Sequence, residues 1–209
     1  MSFYIPPLFR IEERRTLVDF IEAHAFGTLV SSGPAGLSVS HVPFVVEAPE
    51  NGPLTLLVHF ARSNPHWQEL EGASDVLAIF QGPHAYVSPT WYENHPSVPT
   101  WNYTVVHAHG RARPVDEARL RGMLARLSAK YEKGNAQPWR MEALPEEFTA
   151  KMVNAVAGFA IEVGKLEGKF KLSQNRPGRD AALAADALEA RGEADLAAMM
   201  RAQARAPRR

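Results

Sequence analysis

Cysteine is absent from the 209 residues, which excludes disulfides, thiol nucleophiles and Cys-type zinc sites. An excess of either charge is absent too. Lys+Arg and Asp+Glu number 23 each, and the pI is near 7.1. That balance argues against a surface built mainly to hold nucleic acid, while leaving room for a local basic patch. Long apolar runs are missing: none approaches the ~20 residues of a membrane span, and the opening MSFYIPPLFRIEERR lacks the apolar core of a signal peptide. The expectation is a soluble, cytoplasmic protein with no membrane partner. Neither GxGxxG nor GxxxxGK occurs, so the glycines read as turn formers.

What is present divides by period. Apolar residues at Leu17, Phe20 and Ile21, with His24, predict a helix within 11–24. FGTLVSS (26–32), the turn Gly33-Pro34-Ala35-Gly36 and LSVSHVPFVV (37–46) predict a hairpin, followed by a third strand, LTLLVHF (54–60). A short helix is expected from Pro65 to Gly72, capped by Ser63 or Asn64. Strands at 76–80 and 101–113 come next. From Asp116 a helical stripe of Leu120, Met123, Leu124, Leu127 and Tyr131 is predicted. A second helix from Pro145, ended by Gly158, is expected to bury Phe148, Met152 and Val156. Alternation returns at 158–165 and at 169–173. The Ala-rich 180–206 predicts two short helices split at Arg191-Gly192, and the Arg-rich end beyond 200 reads as solvated.

Three features could carry chemistry. The segment 75–113 contains Pro83, Pro89, Pro96 and Pro99, so no helix crosses it. Its Tyr86, Trp91, Tyr92 and Trp101, among amide and imidazole side chains, either receive a flat, polar-rimmed ligand or pack a long loop onto the body. At Arg62-Ser63-Asn64-Pro65 a permanent cation stands at a helix start, a corner suited to a phosphate or carboxylate, or else simply a capped helix with a solvated arginine. His107 and His109 share a strand face, but no third ligand follows at telling spacing. The reading is two half-buried, hydrogen-bonded histidines and no metal.

Six to seven short strands punctuated by Gly and Pro, with helices at the start, after the fifth strand and at the end, predict a mainly β, α+β architecture. A small antiparallel barrel with peripheral helices fits best. We expect a barrel domain over 1–177, with inserted helices in 116–157, and a helical extension with a basic tail over 178–209.

YIPPLFRI, HFARSNPHW, IFQGPHAYVSPTWY, VPTWNYTVVHAHGRAR and LEGKFKLSQNRP, in this order, resemble the PaiB-type family of FMN-binding negative transcriptional regulators. The resemblance implies a split β-barrel, a homodimer, and FMN in a cleft formed with the partner subunit. It places the flavin phosphate near Ser40, His41, His59, Arg62, Ser63 and Asn64. It places the isoalloxazine toward Pro43, Gln81 and Trp101-Asn102, with Lys171, Gln174 and Arg176 in the same cleft or the partner's. Two departures stand out: only Glu93 to Ser97 separates WY from VPTWNY, and Phe170 stands where Trp is commoner.

The leading expectation is therefore a dimeric FMN-binding regulator, with DNA as a partner by resemblance alone, since no helix-turn-helix is evident. The competing expectation is an FMN-dependent oxidoreductase with His84 and His107 as acid-base candidates. A third is a cofactor-free interaction module, which the short 93–97 loop keeps open.

Overall fold

A computed structural model describes residues 3–34, 36–72 and 75–205. Seven strands and six α-helices are formed among them. In chain order these are β1 (Arg10–Ile11), α1 (Arg14–Ala23), β2 (Phe26–Gly33), β3 (Gly36–Glu47), β4 (Thr55–Ala61), α2 (His66–Gly72), β5 (Val76–Val87), β6 (Thr100–Pro114), α3 (Glu117–Glu132), α4 (Glu146–Asn154), β7 (Val156–Lys171), α5 (Gly178–Ala190) and α6 (Ala194–Arg205). The sheet order is β1-β7-β4-β3-β2-β5-β6, and a further pairing of β6 with β7 closes the ladder on itself. Every register that is defined is antiparallel, as expected for strands joined by short turns.

The chain forms two compact units: Met1–Leu17, Gln81–Val106 and Glu167–Arg209 in one, Val18–Phe80 and His107–Leu166 in the other. The second is built on the β2–β3 hairpin, in register from Phe26 opposite Pro43 to Gly33 opposite Gly36. Gly36 takes φ +114°, which a residue with a side chain rarely adopts, so glycine sets the turn. The turn residue Ala35 lies outside the described residues. Inward positions Leu29, Phe44, Leu56, Val58, Phe60, Phe80, Phe159 and Ile161 are at most 2% exposed, and Phe44 meets Phe80 edge-on at 5.0 Å. On the other face of the strands, Val45, Leu57 and Ala160 pack beneath Leu120 and Met123 of α3 and Val153 of α4.

In the other unit, α5 and α6 form a helical hairpin turned at Gly192 (φ +89°) and bury Ala184, Ala185, Leu188, Leu196, Ala197 and Met200. Arg201 is held by Asp186 at 2.8 Å and Glu189 at 2.6 Å, so it is ion-paired rather than freely solvated. Arg208 and Arg209 lie outside the described residues.

Five expectations are corrected. α4 buries Thr149 and Val153, while Phe148 and Met152 are 50% and 44% exposed. The helix stops at Asn154, one position out of phase with the apolar residues that suggested its inner face. Tyr131 is exposed as well, so the α3 stripe ends a turn earlier than its periodicity suggested. Gly158 lies inside β7, where an added Cβ would come within 2.8 Å of Val115 and 2.9 Å of Leu120. Close packing, not helix termination, selects glycine there. β5 continues through Pro83 to Val87, and β7 is one strand of 16 residues where two were expected.

Candidate functional site

The turn after β4 gathers several of the expected residues. Pairing of β4 with β7 ends at Ala61 opposite Val156, and the Arg62 N–H then donates to Ala155 O at 2.9 Å. Asn64 Oδ1 accepts from the His66 N–H at 3.0 Å, capping α2 as the Asn-Pro pair predicts. Asn64 Nδ2 donates to Ser40 Oγ at 3.1 Å. Beneath them His66, 3% exposed, has Nδ1 2.8 Å from Ser40 Oγ and Nε2 2.9 Å from Ser31 Oγ. Ser40 Oγ accepts from Asn64, and each ring nitrogen of His66 has a serine hydroxyl as its partner, so the neutral ring is satisfied in either tautomer. Burial pushes the His66 pKa below its ordinary value, against an opposing pull from Glu69.

His66 escaped the sequence reading. The signal for it was the pair Ser31 and Ser40: hydroxyls at inward positions of two adjacent strands require a buried polar partner.

Arg62 points elsewhere. Its Nε donates to Asn154 O at 3.0 Å, its guanidinium lies 5.0 Å from the centre of the Trp67 ring, and Trp67 Nε1 donates back to Arg62 O at 3.0 Å. Among the described residues no carboxylate lies within ion-pair distance of it. Arg62 and Trp67 line a cavity of about 140 Å³ together with Leu120, Val153, Val156, Phe159, Glu71 and Glu117. That volume suits a small charged group and is well below the ~300 Å³ at which pockets for whole cofactors begin.

The remaining expected residues of this unit lie apart from the turn. His59 follows the period of Leu57, on the face that α3 and α4 cover; its Nδ1 is buried without a hydrogen-bond partner among the described residues, and burial pushes its pKa down. His41 is exposed and has Nδ1 2.9 Å from Thr28 Oγ1 across the hairpin; Pro43 stands opposite Phe26, which is 66% exposed. Ser63 is exposed on the turn itself.

In the other unit, Trp101 is 54% exposed. Its ring lies 6.2 Å from Tyr86, edge to face, and 6.5 Å from His84. Gln81 Nε2 is 3.2 Å from His84 Nδ1. Lys171 Nζ donates to Thr100 Oγ1 and, at 2.9 Å, to Trp101 O. Asn102 is fully buried, donating to Ser173 Oγ at 2.9 Å and Met200 Sδ at 3.4 Å, while its Oδ1 has no hydrogen-bond partner among the described residues. Gln174 closes its own turn: Oε1 accepts from the Leu172 N–H and Nε2 donates to Phe170 O, both at 2.6 Å. The structure thus joins Ser40 with Asn64, and Trp101 with Lys171, while Asn102 and Gln174 are occupied in holding the fold. His107 and His109 have ring centroids 6.4 Å apart, and no group of three metal-ligating side chains is found among the described residues.

Comparison with known proteins adds the following. The family described as "Putative FMN-binding domain" matches residues 3–165. "Protease synthase and sporulation protein PAI 2" of Bacillus subtilis is 34% identical over 173 residues, covering 83% of each chain. Among solved structures, the flavocytochrome Anf3 of Azotobacter vinelandii superposes with a TM-score of 0.61 at 16% identity, covering 78% of this chain and 69% of that one. The FAD and heme binding protein of Mycobacterium smegmatis gives 0.60 at 16%, covering 83% and 78%. At such identities the structural likeness carries the fold alone, a split barrel. With its family's domain matched across most of its length, the chain belongs to the FMN-binding-domain family, and FMN is the cofactor that this domain is built to hold.

Proposed function

We propose that this chain works as a homodimeric FMN-binding split-barrel protein that represses transcription, with the phosphate of FMN received at Arg62 and Ser63. The observation that supports this most directly is the guanidinium of Arg62, held by Asn154 O and Trp67 without a carboxylate partner among the described residues. A fixed fork of donors with spare N–H groups fits a phosphate by charge and by geometry. The exposed hydroxyl of Ser63 adds a further donor. Ser40, Asn64 and His66 act one step back: they pin the turn, so Arg62 is presented on a rigid support. FMN itself supplies redox chemistry when bound, and the chain supplies binding and electrostatics.

The regulatory part draws on the Bacillus relative, whose name speaks of protease synthesis and sporulation. Arg201, tied to Asp186 and Glu189, is poorly placed to lend its charge to DNA. The test is threefold: flavin fluorescence on titration with FMN, sedimentation to establish the dimer, and a gel shift with the gene's own upstream region. Arg62→Ala is expected to bind FMN at least ~10-fold more weakly. Unchanged FMN affinity in that variant removes the phosphate assignment, and a shift no stronger than the salt-sensitive nonspecific level removes direct repression.

A second reading, a flavin-dependent oxidoreductase, is favoured by the exposed rings of Tyr86 and Trp101 beside Lys171, a surface suited to a small-molecule substrate. Anaerobic bleaching of bound flavin by NADH or NADPH supports it; no bleaching by either counts against it.

A further inference from the structure

We infer that Trp67 is a positioning residue for the anion site at Arg62: its indole ring holds the guanidinium ready for a phosphate, and so sets how strongly FMN is preferred to riboflavin. This role rests on the reading of Arg62 as the phosphate residue. The resemblance gives Trp67 no part in the site.

Other arginines of this chain are held by acids. Arg119 and Arg126 each reach Glu47 at 2.8 Å, and Arg121 reaches Glu117 at 2.8 Å and Glu146 at 2.9 Å. Such a pair fixes the side chain and cancels its charge together. Arg62 is fixed in another way. Its guanidinium lies 5.0 Å from the centre of the Trp67 ring, its Nε donates to Asn154 O at 3.0 Å, and among the described residues no carboxylate lies within ion-pair distance. The electron-rich face of an indole attracts a cation without neutralising it. Carboxylates do line the same cavity, those of Glu71 and Glu117, yet Glu117 is engaged by Arg121.

The local chain explains how the ring comes to be there. His66 is turned into the interior and is 3% exposed, so Trp67, the next residue of α2, emerges half-buried beside the turn that carries Arg62. From that position Nε1 donates back to Arg62 O at 3.0 Å. The Arg62 N–H is bonded to Ala155 O at 2.9 Å. The backbone N–H, the backbone carbonyl, Nε and the face of the guanidinium are thus all engaged, each by a neutral partner. The donors on Nη1 and Nη2 have no hydrogen-bond partner among the described residues. An exposed arginine has much rotamer freedom to lose on binding. Here it is lost before the ligand arrives, so a phosphate meets a fixed fork with its full charge.

The full chain is titrated with FMN and with riboflavin, which differ by the phosphate alone, and binding is followed by flavin fluorescence. Trp67→Leu and Trp67→Gln are each expected to reduce the preference for FMN ~5-fold, with riboflavin affinity unchanged within ~2-fold. Trp67→Gln can still donate to Arg62 O but has no ring, and it decides the matter should Trp67→Leu fail to fold. Trp67→Phe, which keeps a ring face, is expected to retain more of the preference than either. In an Arg62→Ala background Trp67→Leu and Trp67→Gln are expected to have no further effect on the preference, the signature of a residue that acts through Arg62. An equal fall of both affinities overturns the inference, by making Trp67 a general support of the fold. So does a further loss of preference in the Arg62→Ala background. A preference lost in Arg62→Ala but kept in the Trp67 variants removes the role of Trp67 alone. Absence of FMN binding, or a preference unchanged in Arg62→Ala, removes the phosphate reading itself and this role with it.

Discussion

Ser40 Oγ and His66 Nδ1 lie 2.8 Å apart in the interior, joining the second strand of the hairpin to the first turn of α2. This bond fixes where the Arg62 turn sits, because Asn64, the cap of α2, donates to the same hydroxyl. Ser40→Ala leaves the buried His66 Nδ1 and the half-buried Asn64 amide short of a partner, at a cost of ~1–3 kcal/mol. The expected outcome is a lower urea midpoint with an unchanged m-value, together with weaker FMN binding, although Ser40 itself is buried. Unchanged stability would mean that the network is dispensable.

The same histidine makes stability depend on pH. His66 and His59 both have folded pKa values held below the ordinary value by burial. In the folded protein the neutral form is favoured, so their contribution is complete above the unfolded value of ~6.5. As pH falls from there toward the folded values, the unfolded chain takes up protons that the folded chain does not, and stability declines. Unfolding midpoints measured from pH 7.5 down to 5.5 are expected to fall, and the slope is expected to be shallower in His66→Gln. A flat profile would show that neither ring is held neutral.

Asp180 gives a dependence of the same sign at lower pH. It is 0% exposed, and burial alone would raise its pKa. The Asn94 amide, the Glu93 and Asn94 N–H groups and the charge of Arg176 outweigh that, so the net direction is down. Its stabilisation is present above the unfolded value of ~3.9 and is lost as pH falls through the folded value. Asp180→Asn is expected to lower the thermal midpoint at neutral pH and to flatten the acid limb. An unchanged midpoint would mean that the segment after Tyr92 is held by other contacts.

Much of this fold was legible because its signals are local. Strand alternation, the Gly33–Gly36 turn and the Asn64-Pro65 cap each depend on residues a few positions apart, and β2, β3, β4 and α2 formed within a residue or two of expectation. α4 was misjudged in its inner face because Phe148 and Met152 look like core residues by type, yet the phase set by packing under α3 turns Thr149 and Val153 inward. The candidate site was partly legible for the same reason. Arg62 and Asn64 announce themselves in the chain, whereas the link from Ser31 to His66 spans 35 positions and exists only once the hairpin has formed. Asn102 stands next to Trp101 in the chain, but alternation along β6 sends the two side chains to opposite faces. Its neighbours Ser173 and Met200 could be named only from the folded chain.

The crossing of β6 over β7 sets a limit that a single methyl group can test. A Cβ built on Gly110 would lie 2.4 Å from Glu162 O and 2.8 Å from Ile161 Cγ2. Side chains can rotate away from such a contact, but a backbone carbonyl cannot move without disturbing the strand that carries it. β7 is also paired with β4, where Ile161 stands opposite Leu56 and Glu162 opposite Thr55, so a shift there propagates into the barrel's inner face. Gly110→Ala is therefore expected to cost ~1–3 kcal/mol or more, beyond the small gain that an exposed strand position would show for the same change. Gly164, whose Cβ would meet nothing within 4 Å, is the control: the same substitution there is expected to change stability by less than ~0.5 kcal/mol. Urea unfolding of the two variants side by side decides it. Equal midpoints would mean that β6 and β7 are farther apart at this crossing than the structure places them.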